Sequence, residues 1–115
     1  MTDAGQFSIE TRSDGDRHVV SLTGEINLRS SPALHASLLE IIKGSPNRII
    51  LDLSGVSYMD SSGIGTLVEI KRRVDRNKGS LILAALQPRV RGLFQITKLE
   101  RFFTIAADVA EAEEA

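Results

Sequence analysis

Two adjacent serines that follow an aspartate are the residues of this chain best placed to do chemistry. They belong to the segment Met59-Asp60-Ser61-Ser62-Gly63, directly before a predicted helix. The first N–H groups of a helix lack partners, and the helix dipole gives that end partial positive charge. Such an end suits either a capping oxygen or a phosphate group. Two interpretations are therefore open: helix capping alone, or reversible phosphorylation of one serine.

Phosphorylation at this place would make an effective binding switch. A phosphoserine brings a charge of about −1.5 to −2 and three strong acceptor oxygens. Because a helix N-terminus tolerates negative charge, we expect the fold to survive the modification. A partner covering the same surface would have to bury a dianion, and a penalty of about 4 kcal/mol lowers affinity roughly a thousandfold.

A second candidate site is the loop at residues 24–31, with the sequence Gly-Glu-Ile-Asn-Leu-Arg-Ser-Ser. It is either an ordinary strand exit with a helix cap or part of the same binding face, since loops that follow parallel strands gather at one edge of a sheet. A third feature, the basic run at residues 71–78, is interpreted as a solvated helix face.

Catalytic and metal sites find little support. The chain has no cysteine, which excludes disulfides and thiolate chemistry, and its two histidines, His18 and His35, are predicted to lie at the surface. Gly63-Ile64-Gly65 begins like a dinucleotide fingerprint, but the third glycine is missing. We expect no catalytic residue, metal or enzymatic activity. A nucleophilic Ser61 is the enzymatic alternative, and no base is visible to activate it.

The elements that position these residues alternate between strands and helices. Apolar patterning and turn residues predict strands at 7–12, 18–26, 48–53, 80–86 and 102–105 and a loop at 54–59. Helices are predicted from Ser30 or Ser31 to a left-handed Gly44, from Asp60 to Gly79, and from Pro88 onward. This order predicts an α/β sandwich with a largely parallel sheet, opened by an N-terminal hairpin.

Length and composition set the wider limits. The 115 residues fit one domain, 1–115, with a core at about 7–105 and an acidic tail at 106–115 that is helical or frayed. Fourteen Lys+Arg against fifteen Asp+Glu give a net charge of −1, which disfavours nucleic-acid binding. Neither a membrane-spanning run nor a signal segment is present, so we expect no membrane partner and a cytoplasmic location.

Four blocks of the sequence resemble the anti-sigma-factor antagonists, whose fold is called the STAS domain. They are LTGEI at 22–26, IILDLSGVSYMDSSGIGTL at 49–67, LILAALQPRVRGLFQITKL at 81–99 and RFF at 101–103. The resemblance implies that the unphosphorylated form binds an anti-sigma factor that is also a serine kinase, which releases a sigma factor. The kinase then phosphorylates the serine after the aspartate, and a PP2C-type phosphatase restores the active form.

Carried over to this chain, the resemblance implies that Ser61 is the phosphorylation site. The residues expected to form the partner surface are Glu25, Asn27, Asp60, Ser62, Gly63, Ile64 and Gly65. ATP and metal belong to the kinase and phosphatase, so no cofactor is expected here. Asn27 stands where the family commonly has aspartate, and it keeps the acceptor oxygen without the charge. The alternative is a non-switching STAS scaffold subunit of a signalling, secretion or lipid-transport complex.

Overall fold

A five-stranded sheet and four helices make up residues 6–115, the part of the chain that the computed structural model describes. In chain order the elements are β1 (Ser8–Asp14), β2 (Arg17–Ile26), α1 (Ser31–Ile42), β3 (Arg48–Met59), α2 (Ser61–Arg76), β4 (Ser80–Ala84), α3 (Pro88–Ile96), β5 (Thr104–Ala106) and α4 (Val109–Glu114). The strands lie in the order β1-β2-β3-β4-β5. β1 runs antiparallel to β2, and the remaining neighbours are parallel. The predicted α/β sandwich with a mixed sheet and an opening hairpin is confirmed.

Alternation along the strands divides the buried side chains between the two faces of the sheet. The larger cluster joins strand residues such as Leu51 and Leu53 to the apolar stripes of α1, α2 and α3, and Leu38, Leu67 and Phe94 are fully buried there. Burial of each such side chain contributes about 1.5–3 kcal/mol relative to exposure. These three helices are therefore held on one face, with the starts of α1 and α2 at the ends of β2 and β3.

The opposite face carries a smaller cluster that the acidic tail covers. Ala112 of α4 is fully buried against residues of the central strands, including Ile50 and Ile82. The guanidinium of Arg48 donates hydrogen bonds to the carbonyl oxygens of Ala112 (3.2 Å) and Glu113 (2.9 Å). A cation at the C-terminal end of a helix satisfies carbonyls that have no partner within it.

One difference from the sequence prediction determines how the site is built. Residues 54–59, predicted as a loop, continue β3 and pair with β2 through Thr23–Gly55 and Glu25–Tyr58. Register shifts in β2 accompany this extension, and Gly24 sits at one of them with a φ of +100°. The polar residues that suggested a loop are exposed on the extended strand, while Val56 and Met59 are buried.

Several predicted element ends also differ from the structure, and three of them have a clear local cause. The left-handed residue after α1 is Ser45 (φ 49°) rather than Gly44, because Gly44 N–H closes a tight turn onto Ile41 O at 3.2 Å. β4 ends at Ala84, since Ala85 turns the chain with a φ of 61°. β5 begins at Thr104, because Phe103 packs in the core instead of pairing in the sheet.

Candidate functional site

Two chain segments meet where β2 and β3 end side by side. The N–H of Asp60 donates to the carbonyl oxygen of Ile26 at 3.1 Å, directly after both strands. Two residues after Asp60, the hydroxyl of Ser62 accepts a hydrogen bond from the hydroxyl of Ser31 at 3.1 Å. The loop between β2 and α1 is thus fixed against the start of α2, and the two sequence candidates form one surface.

Asp60 caps α2 through both its side chain and its backbone. It adopts an extended conformation, and its Oδ1 accepts a hydrogen bond from the N–H of Ser62 at 2.9 Å. Its carbonyl oxygen accepts from the N–H groups of Gly63 (3.1 Å) and Ile64 (3.2 Å). An aspartate at this position is worth about 0.5–2 kcal/mol relative to alanine. The capping interpretation is therefore correct for Asp60.

The two serines after Asp60 differ in what their hydroxyls do. The Ser62 hydroxyl donates to Asp60 Oδ1, accepts from Ser31 and is half-buried. Ser61 is exposed at the first position of α2, and within residues 6–115 its hydroxyl makes no hydrogen bond to another side chain or to the backbone. Of these two serines, only Ser61 has a hydroxyl that is both accessible and free of hydrogen bonds within residues 6–115.

The two glycines of the site also differ. A Cβ at Gly63 would lie 2.7 Å from Ile26 Cγ2 and 2.7 Å from Met59 Cγ, so only glycine lets α2 approach β2 and β3 this closely. Ile64, the next residue, is part of the core. A Cβ at Gly65 would meet nothing within 4 Å, and the residue is exposed. Gly63 and Ile64 therefore position the helix, whereas Gly65 lies on its open surface.

Asn27 organises the loop from β2 to α1. Its Oδ1 accepts hydrogen bonds from the N–H groups of Arg29 (2.9 Å) and Ser30 (3.2 Å). Ser30 stands at the N-cap of α1 but makes no capping bond with its side chain; its hydroxyl donates to Glu25 O at 2.8 Å instead. The one oxygen that Asn27 uses is also present in aspartate, so this loop does not require the carboxylate charge.

The surface beside Ser61 includes an exposed leucine, Leu28, which was not among the expected partner residues. Leu28 is 80% exposed, and an open cleft of about 490 Å³ next to it is lined by Asn27, Leu28, Arg29 and Asp60. A neighbouring cleft of about 510 Å³ shares Asn27 and Arg29 and includes the half-buried Glu25. A leucine in a polar loop, outside any helical or strand periodicity, is the sequence signal that could have identified it.

The charged groups of α1 and α2 form one pair between the helices and several pairs within them. His35 Nε2 lies 2.9 Å from Glu69 Oε1, and Arg73 Nε lies 3.1 Å from Glu69 Oε2. The hydrogen bond from Arg73 lowers the pKa of Glu69 below its ordinary value of 4.5, and His35 adds to this effect. In the basic run, Lys71 is half-buried, pairs with Asp75 at 2.7 Å and lies over the ring of Phe102, so the solvated-face prediction was wrong there.

The two histidines are not simple surface residues. His18 and His35 are each half-buried. The Nδ1 of His18 is enclosed at the start of β2, and the site around Ser61 lies near the opposite end of this strand. Over residues 6–115 no three His, Asp or Glu side chains are grouped so that they could hold a metal ion. The same residues include no helix long and apolar enough to cross a membrane.

Fold and site together define an α/β module that presents an exposed serine at a capped helix start, beside a loop with an exposed leucine. The family model described as "STAS domain" matches residues 8–112. The chain therefore belongs to the STAS domain family.

Named relatives and solved structures agree with this membership. The anti-sigma-B factor antagonist of Bacillus subtilis (strain 168) is 35% identical over 102 residues, covering 88% of this chain and 92% of that protein. An anti-sigma factor antagonist from Mycobacterium paratuberculosis superposes with a TM-score of 0.89 at 23% identity, covering 99% of this chain and 97% of that one. The antagonist SpoIIAA in its unphosphorylated form gives a TM-score of 0.78 at 25% identity, covering 95% of each chain. The Bacillus protein SpoIIAA in the phosphorylated form gives 0.72 at 24%, covering 95% of this chain and 98% of that one.

Proposed function

We propose that this chain is an anti-sigma factor antagonist whose binding is switched by phosphorylation of Ser61. The unphosphorylated form binds an anti-sigma factor that is also a serine kinase, and the sigma factor is released. The observation that carries the proposal is the exposed Ser61 hydroxyl, which has no role in the fold although its neighbours on both sides do. Relatives named as anti-sigma-B factor antagonists support the first part, and a phosphorylated form of SpoIIAA supports the second.

The chemistry of the switch belongs to the partners. The kinase transfers the γ-phosphoryl group of ATP to Ser61 Oγ, so that a phosphoester bond forms, the bond from the γ-phosphorus to the bridging oxygen breaks, and ADP and the hydroxyl proton leave. A PP2C-type phosphatase uses water to return serine and inorganic phosphate. ATP and metal ions are required by those enzymes. We place the exchange in the cytoplasm because the kinase depends on ATP.

This chain itself acts as a binding module rather than an enzyme. A nucleophilic serine needs a base within hydrogen-bond reach and a group that orients the base. Among the described residues no histidine or carboxylate side chain hydrogen-bonds to Ser61, and Asp60 directs its Oδ1 to Ser62. His35, a candidate base by type, is instead paired with Glu69 on α2. Ser61 is therefore suited to accept a group from another enzyme.

Affinity capture from lysate of the native host tests the switch. Wild type and Ser61→Ala should retain a histidine-kinase-like ATPase that Ser61→Asp loses, and the purified ATPase with ATP should add one phosphoryl group to wild type and none to Ser61→Ala. Ser13→Asp is the matched control, because Ser13 is exposed at the far end of the hairpin, opposite His18. Capture of one larger assembly by all baits alike would contradict the switch and favour the scaffold alternative.

A second comparison locates the binding surface. Leu28 and Ile96 are the two most exposed large apolar side chains in the described part of the chain, at 80% and 81%, and only Leu28 is in the loop beside Asp60. Leu28→Ser should weaken binding of the captured ATPase at least about tenfold, because a buried leucine is worth about 1.5–3 kcal/mol. Ile96→Ser should leave the affinity unchanged. If Leu28→Ser lowers the affinity no more than Ile96→Ser does, the binding surface does not include the loop around Leu28.

A further inference from the structure

We propose that Arg29 is the intramolecular counter-ion of the phosphate on Ser61. The inference rests on the proposed function only in that Ser61 carries the phosphate. It concerns this chain's own loop between β2 and α1, whose four residues 27–30 are Asn-Leu-Arg-Ser. Arg29 is the only cationic residue in this loop or in residues 59–65 at the start of α2.

Hydrogen bonds on both sides of Arg29 hold the loop between β2 and α1 against the start of α2. Before it, the Asp60 N–H donates to Ile26 O at 3.1 Å; after it, the Ser31 hydroxyl donates to the Ser62 hydroxyl at 3.1 Å. The backbone of Arg29 is itself fixed, because its N–H donates to Asn27 Oδ1 at 2.9 Å. The long side chain of Arg29 therefore starts from a defined position and lines the same cleft as Asp60, the residue before Ser61.

The side chain of Arg29 is available for this role. It is exposed, and no carboxylate within residues 6–115 lies at ion-pairing distance from it. By contrast, two basic residues of α2 are paired, Lys71 with Asp75 and Arg73 with Glu69. Among the described residues, the guanidinium of Arg29 is therefore not engaged in an ion pair that a phosphate on Ser61 would have to displace.

The helix N-terminus alone is poorly able to hold the phosphate. The N–H of Ser62 is already bonded to Asp60 Oδ1, and the N–H groups of Gly63 and Ile64 are bonded to Asp60 O. The phosphate would also lie next to the carboxylate of Asp60, which repels it. A side-chain cation is therefore needed to offset the new charge, and a guanidinium matches phosphate oxygens with two parallel N–H donors.

The pKa of the phosphate measures this interaction directly. The second ionisation of phosphoserine has a pKa of about 6. A nearby cation favours the dianion and lowers that pKa, and for an exposed ion pair we expect a shift of roughly half a unit. The interaction is screened by salt, so the shift should be largest at low ionic strength.

The experiment uses the full chain with phosphoserine incorporated at position 61 during synthesis, which requires no kinase. The phosphate is titrated by ³¹P NMR at low ionic strength in wild type, Arg29→Gln, Arg29→Lys and Arg101→Gln. Arg29→Gln should raise the phosphate pKa by roughly half a unit, with Arg29→Lys intermediate. Arg101→Gln removes an equally exposed charge elsewhere in the chain and should shift it by much less.

Equal titration curves for Arg29→Gln and wild type would overturn the inference, as would equal shifts for Arg29→Gln and Arg101→Gln. Loss of the Arg29 effect at high salt, together with an unchanged unfolding midpoint of the unphosphorylated variants, would support a direct ion pair. This outcome is separate from the switch itself. If no kinase modifies Ser61, the proposed function fails while the titration can still succeed; if a kinase does and the curves coincide, only the role of Arg29 fails.

Discussion

Replacing Gly65 by alanine should make the protein more stable and a weaker binder at the same time. Glycine inside a helix costs about 0.5–1 kcal/mol relative to alanine, and nothing lies within 4 Å of the position that a Cβ at Gly65 would occupy. Gly65→Ala should therefore raise the free energy of unfolding by about 0.5–1 kcal/mol, or the melting temperature by roughly 2–6 °C. Urea denaturation followed by circular dichroism measures the first quantity.

The binding half of this prediction follows from the position of Gly65 on the open surface of α2, one turn after Ser61. A methyl group added at a close interface costs about 1–3 kcal/mol, which corresponds to a loss of roughly 10- to 100-fold in affinity. Titration calorimetry with the kinase partner measures this loss. Gly65 lowers the stability of the helix, and the fold does not need a glycine at this position. A close approach of the partner's backbone would explain why glycine is present there.

Two other glycines serve as controls. Gly92 is the fifth residue of α3, as Gly65 is the fifth of α2, and a Cβ there also meets nothing within 4 Å. Gly92→Ala should therefore stabilise the fold to a similar degree and leave binding unchanged. Gly63→Ala should destabilise by about 1–2 kcal/mol, because overpacking against Ile26 and Met59 exceeds the gain in helix propensity. The reasoning is refuted if Gly65→Ala destabilises the protein or binds the partner as tightly as wild type.

Two further predictions concern the groups that hold α2 in place. Asp60→Ala should lower the free energy of unfolding by about 1 kcal/mol through loss of the helix cap, and Asp60→Asn should recover most of it; equal urea midpoints for Ala and wild type would contradict the capping role. The folded-state pKa of Glu69 is lowered, chiefly by Arg73, so its stabilising contribution is present above pH 4.5 and is lost as the pH falls through the folded pKa. The difference in urea midpoint between wild type and Glu69→Gln should therefore shrink below about pH 4.5, and a pH-independent difference would count against the ion pair.

The alternation of strands and helices was predictable because apolar residues at helical spacing and turn residues are strong local signals. Leu34, Leu38 and Ile42 repeat at helical spacing and are buried, and Pro32 stands in the first turn of α1. The end of β3 was not predictable in this way. Its residues 54–59 are mostly small or polar and exposed, and their strand conformation depends on pairing with β2 through a shifted register, which is a long-range interaction.

The candidate site could be predicted as a segment but not residue by residue. Asp60 and the two serines were visible because their types suit a helix N-terminus. The different roles of Ser61 and Ser62 depend on Ser31, which lies 31 positions earlier than Ser62 and reaches it only in the folded chain. Leu28 had a sequence signal in its polar loop, but its place next to Asp60 depends on the folded chain.

Residues that the fold requires lie next to residues with free side-chain positions at the start of α2. Asp60, Ser62 and Gly63 are committed to the fold through the helix cap, the hydroxyl bonds and the close approach to β2 and β3. Within residues 6–115 the side chain of Ser61 makes no hydrogen bond, and a Cβ at Gly65 would have no neighbour within 4 Å. A charge added to Ser61 therefore breaks no hydrogen bond or packing contact within residues 6–115, and its repulsion from the Asp60 carboxylate is offset if Arg29 pairs with the phosphate. The main free-energy cost then falls on a partner that covers this surface, which is what a reversible binding switch needs.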